Sequence, residues 1–245
     1  MGLPKITHAT FTCIQPSTGS TVILRRFLIA EEKIFLFAKQ SEDPREMTRA
    51  VIEVVTNCIQ KGPTAEELTT FDLDYMFLKL RSQSVDNIIN VTYEDPDTEV
   101  AYPLTVNLED VAVPKPTTKP PVIQLTDTIK MQLRYPSVVD MEAVYDKAEE
   151  INNKRIDDFS IPAPDLVSMV IAKCVASVYD DEQVYTPDSE EELYAFLNQL
   201  PSKAYKDVQT FFDTMPELHH VIKFKDRDEL DREVVLRGIQ SFFTF

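Results

Sequence analysis

A proline-rich segment near the middle of the sequence most constrains how this chain can fold. Residues 114–122 read PKPTTKPPV, with four prolines in nine positions. Proline has no backbone N–H to donate and fixes its own φ angle, so this segment cannot lie inside a helix or a central strand. We therefore expect an extended connection over residues 114–121. It separates an N-terminal lobe, residues 1–113, from a C-terminal lobe, residues 122–245.

Alternating and amphipathic patterns in the N-terminal lobe predict hairpins and helices. The segments ITHATFTCI and STVILRRFLI read as two strands, and Pro16 and Gly19 between them favour a turn. The segments AEEKIFLFAKQ and FDLDYMFLKLRSQS carry apolar residues at helical spacing. The segment VDNIINVTYEDPDTEVAYPLTVNLEDVAV predicts two strands around an Asp-Pro-Asp turn.

The segment DPREMTRAVIEVVTNCIQKGP carries nearly every signal of a helix. Asp43 is a candidate N-cap, Pro44 suits the first helical position, and Glu46 fits a capping box. Gly62 and Pro63 end the pattern. The predicted buried face consists of Met47, Ala50, Val51, Val54, Val55, Cys58 and Ile59.

The C-terminal lobe is predicted to be mainly helical. The segment VIQLTDTIKMQLRYP is strand-like, whereas SVVDMEAVYDKAEEIN has a helical pattern. The residues from Leu166 to Tyr179 are apolar nearly all round, so we expect them to form one helix, the most buried of this lobe. No segment of the sequence repeats at a fixed period.

Two more helices and a hairpin complete the C-terminal lobe. DSEEELYAFLNQL begins with a capping box of Asp188 and Glu191, and Ser202 caps the helix that follows. The last hairpin pairs His219–Phe224 with Glu233–Arg237. The predicted fold class is therefore α+β, with an N-terminal lobe of β-hairpins and amphipathic helices and a mainly helical C-terminal lobe closed by a β-hairpin.

The chain is strongly acidic, and its charge is unevenly distributed. The formal net charge is −16, yet residues 1–60 hold seven Lys and Arg against six Asp and Glu. An acidic surface repels phosphate backbones, which argues against nucleic-acid binding and favours a basic partner protein. The most apolar segment, Leu166–Tyr179, is too short to cross a bilayer, so we expect no membrane association.

The sequence has few of the residues that commonly take part in catalysis or cofactor binding, and their spacing matches no known catalytic motif. Only four glycines occur, which excludes phosphate and dinucleotide loops that need several glycines close together. Cys13, Cys58 and Cys174 are far apart in apolar surroundings and read as reduced core thiols. Neighbouring residues on a strand point to opposite faces, so His219 and His220 cannot readily bind one metal ion. We expect no catalytic residue, no metal site and no cofactor.

Aromatic and methionine side chains cluster in FFDTMPEL and GIQSFFTF near the C-terminus. They are either part of the core or part of an exposed apolar groove for a partner helix, a role that suits the adaptable Met and Phe side chains. The predicted partner-binding residues are Phe211, Phe212, Met215, Phe242, Phe243 and Phe245.

Several blocks of the sequence together resemble one protein family. LPKITHATFTCIQPSTG, RRFLIAEEKIFLFAKQS and FDLDYMFLKLRSQSV resemble the baseplate hub subunit and hub assembly proteins of T-even-like contractile-tailed phages. IQLTDTIKMQLRYPS, FFDTMPELHH and GIQSFF resemble later blocks of that family and follow in order. Some members carry a Cys-x-x-Cys knuckle in the last hairpin, where this chain has IKFKDRDELD without cysteine.

The resemblance implies a non-enzymatic phage tail protein that takes part in assembly of the baseplate hub. The alternative is a transient chaperone for a tape-measure or hub subunit that is absent from the mature virion. The implied partners are other baseplate hub or tape-measure proteins, and a homo-oligomer is also compatible with the sequence. The implied location is the host cytoplasm during assembly, and the tail baseplate if the protein stays in the virion. A hydrolase acting in lysis or on the cell wall is a third class.

We predict that Val54→Asp lowers the free energy of unfolding by several kcal/mol. Val54 lies in the middle of the apolar face of its helix, and burying a carboxylate without a partner is costly. Denaturant unfolding of the purified variant measures the loss, with Thr56→Asp, off the apolar face of the same helix, as the control. An unchanged melting temperature for Val54→Asp would mean that the buried face is assigned wrongly.

Overall fold

The computed structural model describes residues 6–41, 44–95, 100–113, 120–157, 160, 163 and 165–242. Its helices and antiparallel strands, arranged in four small sheets, confirm the α+β fold class. The chain divides into two compact units. Residues 1–115 and 216–245 form the first unit, and residues 116–215 form the second.

The first unit begins with a three-stranded sheet and three helices. Its elements are β1 Thr10–Ile14, β2 Thr21–Arg25, α1 Ile29–Gln40, α2 Pro44–Cys58, β3 Ile59–Lys61, α3 Thr70–Ser84, β4 Ile88–Glu94 and β5 Ala101–Asn107. Strand β2 lies in the centre of the first sheet, where it pairs antiparallel with β1 and β3. Strands β4 and β5 form a separate hairpin, as the sequence predicts.

The apolar face of α2 lies in the core of the first unit. Its buried residues are Ala50, Val51, Val54, Val55 and Cys58. Val54 has no exposed surface, which agrees with its predicted place in the middle of that face. The helix ends at Cys58, one residue earlier than the pattern suggests, because Ile59 pairs with Leu24 of β2. The predicted N-cap Asp43 lies outside the described residues.

The second unit combines a four-stranded sheet with four helices. Its elements are β6 Val122–Gln124, β7 Lys130–Leu133, α4 Val138–Asp157, α5 Leu166–Cys174, β8 Val175–Tyr179, β9 Val184–Tyr185, α6 Glu190–Leu197 and α7 Ser202–Asp213. The sheet has the order β6-β7-β8-β9, and each pair is antiparallel. Its core joins Met131 and Leu133 of β7 to Ile171 of α5 and to Val208 and Phe211 of α7.

The prediction of one buried helix over Leu166–Tyr179 is wrong. The helix stops at Cys174, and Val175–Tyr179 pairs with β7 and β9 as a strand. The first turn of the helix is also open to solvent, since Val167 is 59% exposed.

Two predicted helix caps differ from the caps in the structure by one residue. Ser189 caps α6 by accepting a hydrogen bond from the backbone N–H of Glu192, instead of the predicted pair of Asp188 and Glu191. Ser202 is the first helical residue of α7, and Pro201 takes the capping position. Serine precedes a run of acids in the first case, so more than one register satisfies the capping pattern.

The last hairpin forms as predicted but belongs to the first unit. It pairs β10 His219–Lys225 with β11 Asp231–Arg237. His219 bridges to Ala112, and the Phe224 ring lies 5.9 Å from Tyr93 and 5.2 Å from Tyr102, centroid to centroid. These contacts with the β4–β5 hairpin explain why residues 216–245 group with the first unit, whereas the sequence division placed them in the C-terminal lobe.

Each unit contains the same ββααβ motif, a repeat that the sequence pattern does not reveal. Strands β1 and β2, helices α1 and α2 and strand β3 correspond in order to β6, β7, α4, α5 and β8. In each motif the second strand pairs with both others. The register shifts at the same place, between Ile23 and Leu24 in one unit and between Gln132 and Leu133 in the other.

The two motifs also share a charged contact at the start of the first helix. Arg25 donates through Nη1 and Nη2 to Glu31 at 3.0 and 2.8 Å, and Arg134 donates through both nitrogens to Asp140. In each case the carboxylate lies six residues after the arginine. It also accepts the backbone N–H of the residue three positions earlier, Leu28 or Ser137, at 2.8 Å.

Helix α3 contacts the last described residues of the chain. The 3-10 turn Ile239–Phe242 lies against α3 at both of its ends. The backbone N–H of Ile239 lies near the Asp74 carboxyl, and Arg81 Nη1 donates to the carbonyl of Phe242 at 3.0 Å. The Phe242 ring is 1% exposed. The turn is therefore a part of the first unit's core.

We predict that Asp74→Asn removes a pH dependence of stability. Burial raises the pKa of Asp74 from 3.8 to about 7, while the Ile239 N–H opposes this shift. Because the folded pKa lies above the unfolded one, the folded state takes up the proton more readily. This contribution is fully present below about pH 4 and is lost as the pH rises through 7.

Denaturant titrations from pH 4 to 8 test this prediction. The free energy of unfolding of the wild type should fall relative to Asp74→Asn by as much as about 4 kcal/mol. Asp110→Asn, at an exposed position of the same unit, is the control. Parallel pH profiles for the wild type and Asp74→Asn would contradict the assignment.

Candidate functional site

The structure describes four of the six predicted partner-binding residues, and these four are divided between the two units. Phe211, Phe212 and Met215 lie at the end of α7 in the second unit, whereas Phe242 belongs to the first. Phe243 and Phe245 lie outside the described residues. The six residues therefore do not form one described site.

Neighbouring phenylalanines of α7 have different surroundings. Phe211 is 5% exposed, and its ring stacks on Tyr135 with centroids 5.4 Å apart and planes 23° apart. Phe212 is half-buried and meets Phe211 edge-on at 5.2 Å. Met215, also half-buried, packs against the same core. Phe211 thus belongs to the core, while Phe212 reaches the surface.

Phe212 lies in an open apolar groove between α5 and α7, which we call the α5–α7 groove. Its lining residues are Leu166, Val167, Val170, Ile171, Tyr205, Val208, Gln209, Phe212 and Asp213. Val167 on one wall is 59% exposed, and Tyr205 on the other is 39% exposed. Most of the lining is apolar, as in grooves that bind amphipathic helices.

The sequence of α5 explains why this groove is apolar. The helix reads LVSMVIAKC and begins at Asp165, whose carboxylate accepts the Ser168 N–H at 3.1 Å. Met169, Ile171, Ala172 and Cys174 are buried. Since the helix is apolar nearly all round, its outward turn exposes Leu166 and Val167 as well. From the sequence alone this apolar pattern predicts a fully buried helix, so it does not indicate the groove.

The first unit also has an exposed apolar surface, which lies on α1. Ile29 and Phe37 are each 71% exposed, and Leu36 is 59% exposed. Beside them, Phe27, Phe35, Leu36, Phe77 and Val85 line a shallow groove together with Glu32 and Arg81. None of the six predicted residues lines this surface in the described part of the chain.

The described residues offer little for catalysis. Burial raises the pKa of Cys13 and Cys58 to about 11 and that of Cys174 to about 12, so these thiols are poor nucleophiles. Hydrogen bonds from Lys147 and Lys173 lower the pKa of Glu190 to about 2, as expected of a surface ion cluster.

The described residues hold neither a candidate metal cluster nor a helix suited to span a membrane. Across the described ranges, no three His, Cys, Asp or Glu side chains come together in a group that could hold a metal ion. His219 and His220 are neighbours on β10, and both are half-buried. No described helix is both long and apolar enough to span a membrane.

We predict that Phe211→Ala and Phe212→Ala differ sharply in stability. Removing the buried Phe211 ring should lower the free energy of unfolding by about 3–5 kcal/mol. Phe212→Ala should lower it by about 1 kcal/mol, because much of that ring already contacts solvent. Chemical denaturation of both variants measures the difference, and equal losses would contradict the separation into core and groove.

Comparison with known proteins matches almost the whole chain to one family. Residues 8–244 match the model of the family described as T4 bacteriophage base plate protein. No curated protein and no solved structure matches the chain. Phage baseplate structural families are generally non-enzymatic, and their place is the tail baseplate of the virion. The chain belongs to the T4 bacteriophage base plate protein family, and its role is in the structure or assembly of a phage baseplate.

Proposed function

We propose that the protein takes part in assembly of the baseplate hub by binding another tail protein at the α5–α7 groove. The observation that carries this proposal is the exposure of apolar side chains on both walls of the groove, Val167 and Tyr205. Contiguous apolar surface open to water is typical of sites that a partner covers. The ordered sequence blocks that resemble hub proteins support the hub as the part of the baseplate concerned.

Phe212 and Met215 are the predicted contact residues that best suit this role. Both are half-buried, so a partner can still remove apolar area from water there. Phe211 supports Phe212 from the core through their edge-on contact. We assign Phe211 a positioning role for the groove, and Phe242 a role in the core of the first unit.

We propose hub or tape-measure proteins of the same phage as partners, bound in the host cytoplasm during assembly. The net charge of −16 favours partners with basic surfaces over nucleic acid. The function requires binding alone, in accordance with a family that is generally non-enzymatic.

A transient chaperone is the second candidate function. An open groove between two helices can hold a partner helix and release it later, whereas a permanent subunit commonly has a larger apolar interface. Mass spectrometry of purified virions and of assembly intermediates distinguishes the two roles. Detection in both indicates a hub component, and detection only in the intermediates indicates a chaperone.

Complementation of a phage that lacks the protein tests the groove. Val167→Asp places a charge on the groove wall, and an acid in the first turn of α5 is compatible with the helix. Val184→Asp is the matched control, since Val184 is 67% exposed on β9 and is not among the groove's lining residues. We expect Val167→Asp to weaken binding by about tenfold, which corresponds to about 1.4 kcal/mol, and so to lower the yield of complete baseplates.

Equal complementation by both variants would exclude the α5–α7 groove as the assembly contact. A separate deletion of residues 243–245 tests the remaining predicted residues, Phe243 and Phe245, without removing the buried Phe242. If that deletion preserves the melting temperature but loses co-purification with hub or tape-measure proteins, the C-terminal phenylalanines are part of the contact. Unchanged co-purification would remove them from it.

A further inference from the structure

The arrangement of apolar residues on α7 gives the shape of the segment that the groove can hold. Tyr205, Val208, Gln209 and Phe212 recur at helical spacing and form one stripe along the helix. From Tyr205 to Phe212 the stripe is about 10 Å long, or two helical turns. With α5 as the opposite wall, the space matches an amphipathic helix of two or three turns with apolar residues three and four apart.

The charge at one end of the groove gives the chemistry of that helix. Asp213, the last residue of α7, is exposed and lines the groove. The last turn of α7 has no basic residue, so the carboxylate adds to the partial negative charge of the helix C-terminus. The first half of α7 holds Lys203, Lys206 and Asp207, a net charge of +1. The negative charge is therefore concentrated at the Asp213 end.

The surrounding unit reinforces this preference. Residues 116–215 contain nine Lys and Arg against 18 Asp and Glu, a net charge of −9. Such a field attracts basic segments and repels anionic membranes and phosphate backbones. It also disfavours the same face of a second copy, which carries the same acidic excess.

We infer that the α5–α7 groove binds a basic amphipathic helix of another tail protein, with a Lys or Arg of that helix beside Asp213. The apolar side of the helix contacts Val167 and Phe212, and its basic end lies at the C-terminus of α7. This inference rests on the proposed function, in which the groove is the assembly contact, and adds the charge and form of the partner segment.

Two designed peptides with the same apolar face test the inference on the full-length protein. One is a fluorescent helical peptide of Leu and Lys, and the other has Glu in place of Lys. Fluorescence anisotropy at about 150 mM salt, where charges are screened as under physiological conditions, gives the dissociation constants. We expect the Leu/Lys peptide to bind at least about tenfold more tightly than the Leu/Glu peptide.

Three variants separate groove binding from general attraction to an acidic protein. Val167→Asp and Val184→Asp add the same charge, but only the first should weaken Leu/Lys binding, by about tenfold. Asp213→Lys, which suits a helix C-terminus, should weaken Leu/Lys binding and strengthen Leu/Glu binding. Melting curves verify that each variant is folded.

Equal binding of the two peptides, no binding of either, or unchanged Leu/Lys binding by Val167→Asp overturns the inference. Sedimentation of the protein alone tests whether a second copy of the chain occupies the groove. A dimer that dissociates on Val167→Asp substitution would show that it does, and this result would also overturn the inference. The proposed function is judged by complementation. If Val167→Asp blocks baseplate completion while the peptides show no charge preference, the function stands and this inference fails.

Discussion

In each unit one arginine joins the end of a strand to the first turn of the next helix, and the rest of the unit depends on this contact. In the second unit the Arg134 side chain donates to Asp140, and its backbone N–H donates to the carbonyl of Cys174 at 2.8 Å. The residue therefore links α4 and the end of α5 to the sheet, and α5 is one wall of the groove. In the first unit the Glu31 side chain is only 4% exposed. Without Arg25 this buried carboxylate would keep the Leu28 N–H but lose its guanidinium partner, at a cost of about 3–5 kcal/mol.

A second buried carboxylate fixes the first hairpin. Asp72 has no exposed surface and accepts hydrogen bonds from the Ser17 N–H at 2.9 Å, the Ser17 hydroxyl at 2.6 Å and Gln15 Nε2 at 2.9 Å. The Thr69 N–H donates to it as well, at 3.1 Å. Buried polar groups are hydrogen-bonded in native proteins, so these donors hold the β1–β2 turn and the start of α3 in one arrangement. A helical pattern alone shows Asp72 only as a polar residue outside the apolar stripe.

The sequence predicts elements whose signals are local and fails where distant contacts decide. Helix α2 has an apolar face of clear period and ends at Cys58, and only the short strand β3 separates this end from the predicted stop at Gly62 and Pro63, so its prediction is nearly correct. The stretch Leu166–Tyr179 has no such period, and a run that is apolar all round fits a buried helix or a buried strand equally well. Pairing with β7 decides that its second half is a strand. The sequence pattern does not reveal the repeated ββααβ motif for the same reason. Strand pairing and the Arg–carboxylate ion pairs are common to both copies, whereas their surface residues differ.

The same reasoning explains what could be predicted of the candidate site. The cluster FFDTMPEL draws attention to the end of α7, because several large apolar side chains in a short segment either fill a core or form a surface for a partner. Which of them does which depends on a rotation of about 100° per residue around α7. That rotation turns Phe211 toward Tyr135 and leaves Phe212 at the groove. The opposite wall is the exposed first turn of α5, which precedes α7 by about forty residues in the sequence. A groove is a property of two elements, so no pattern within one of them could have revealed it.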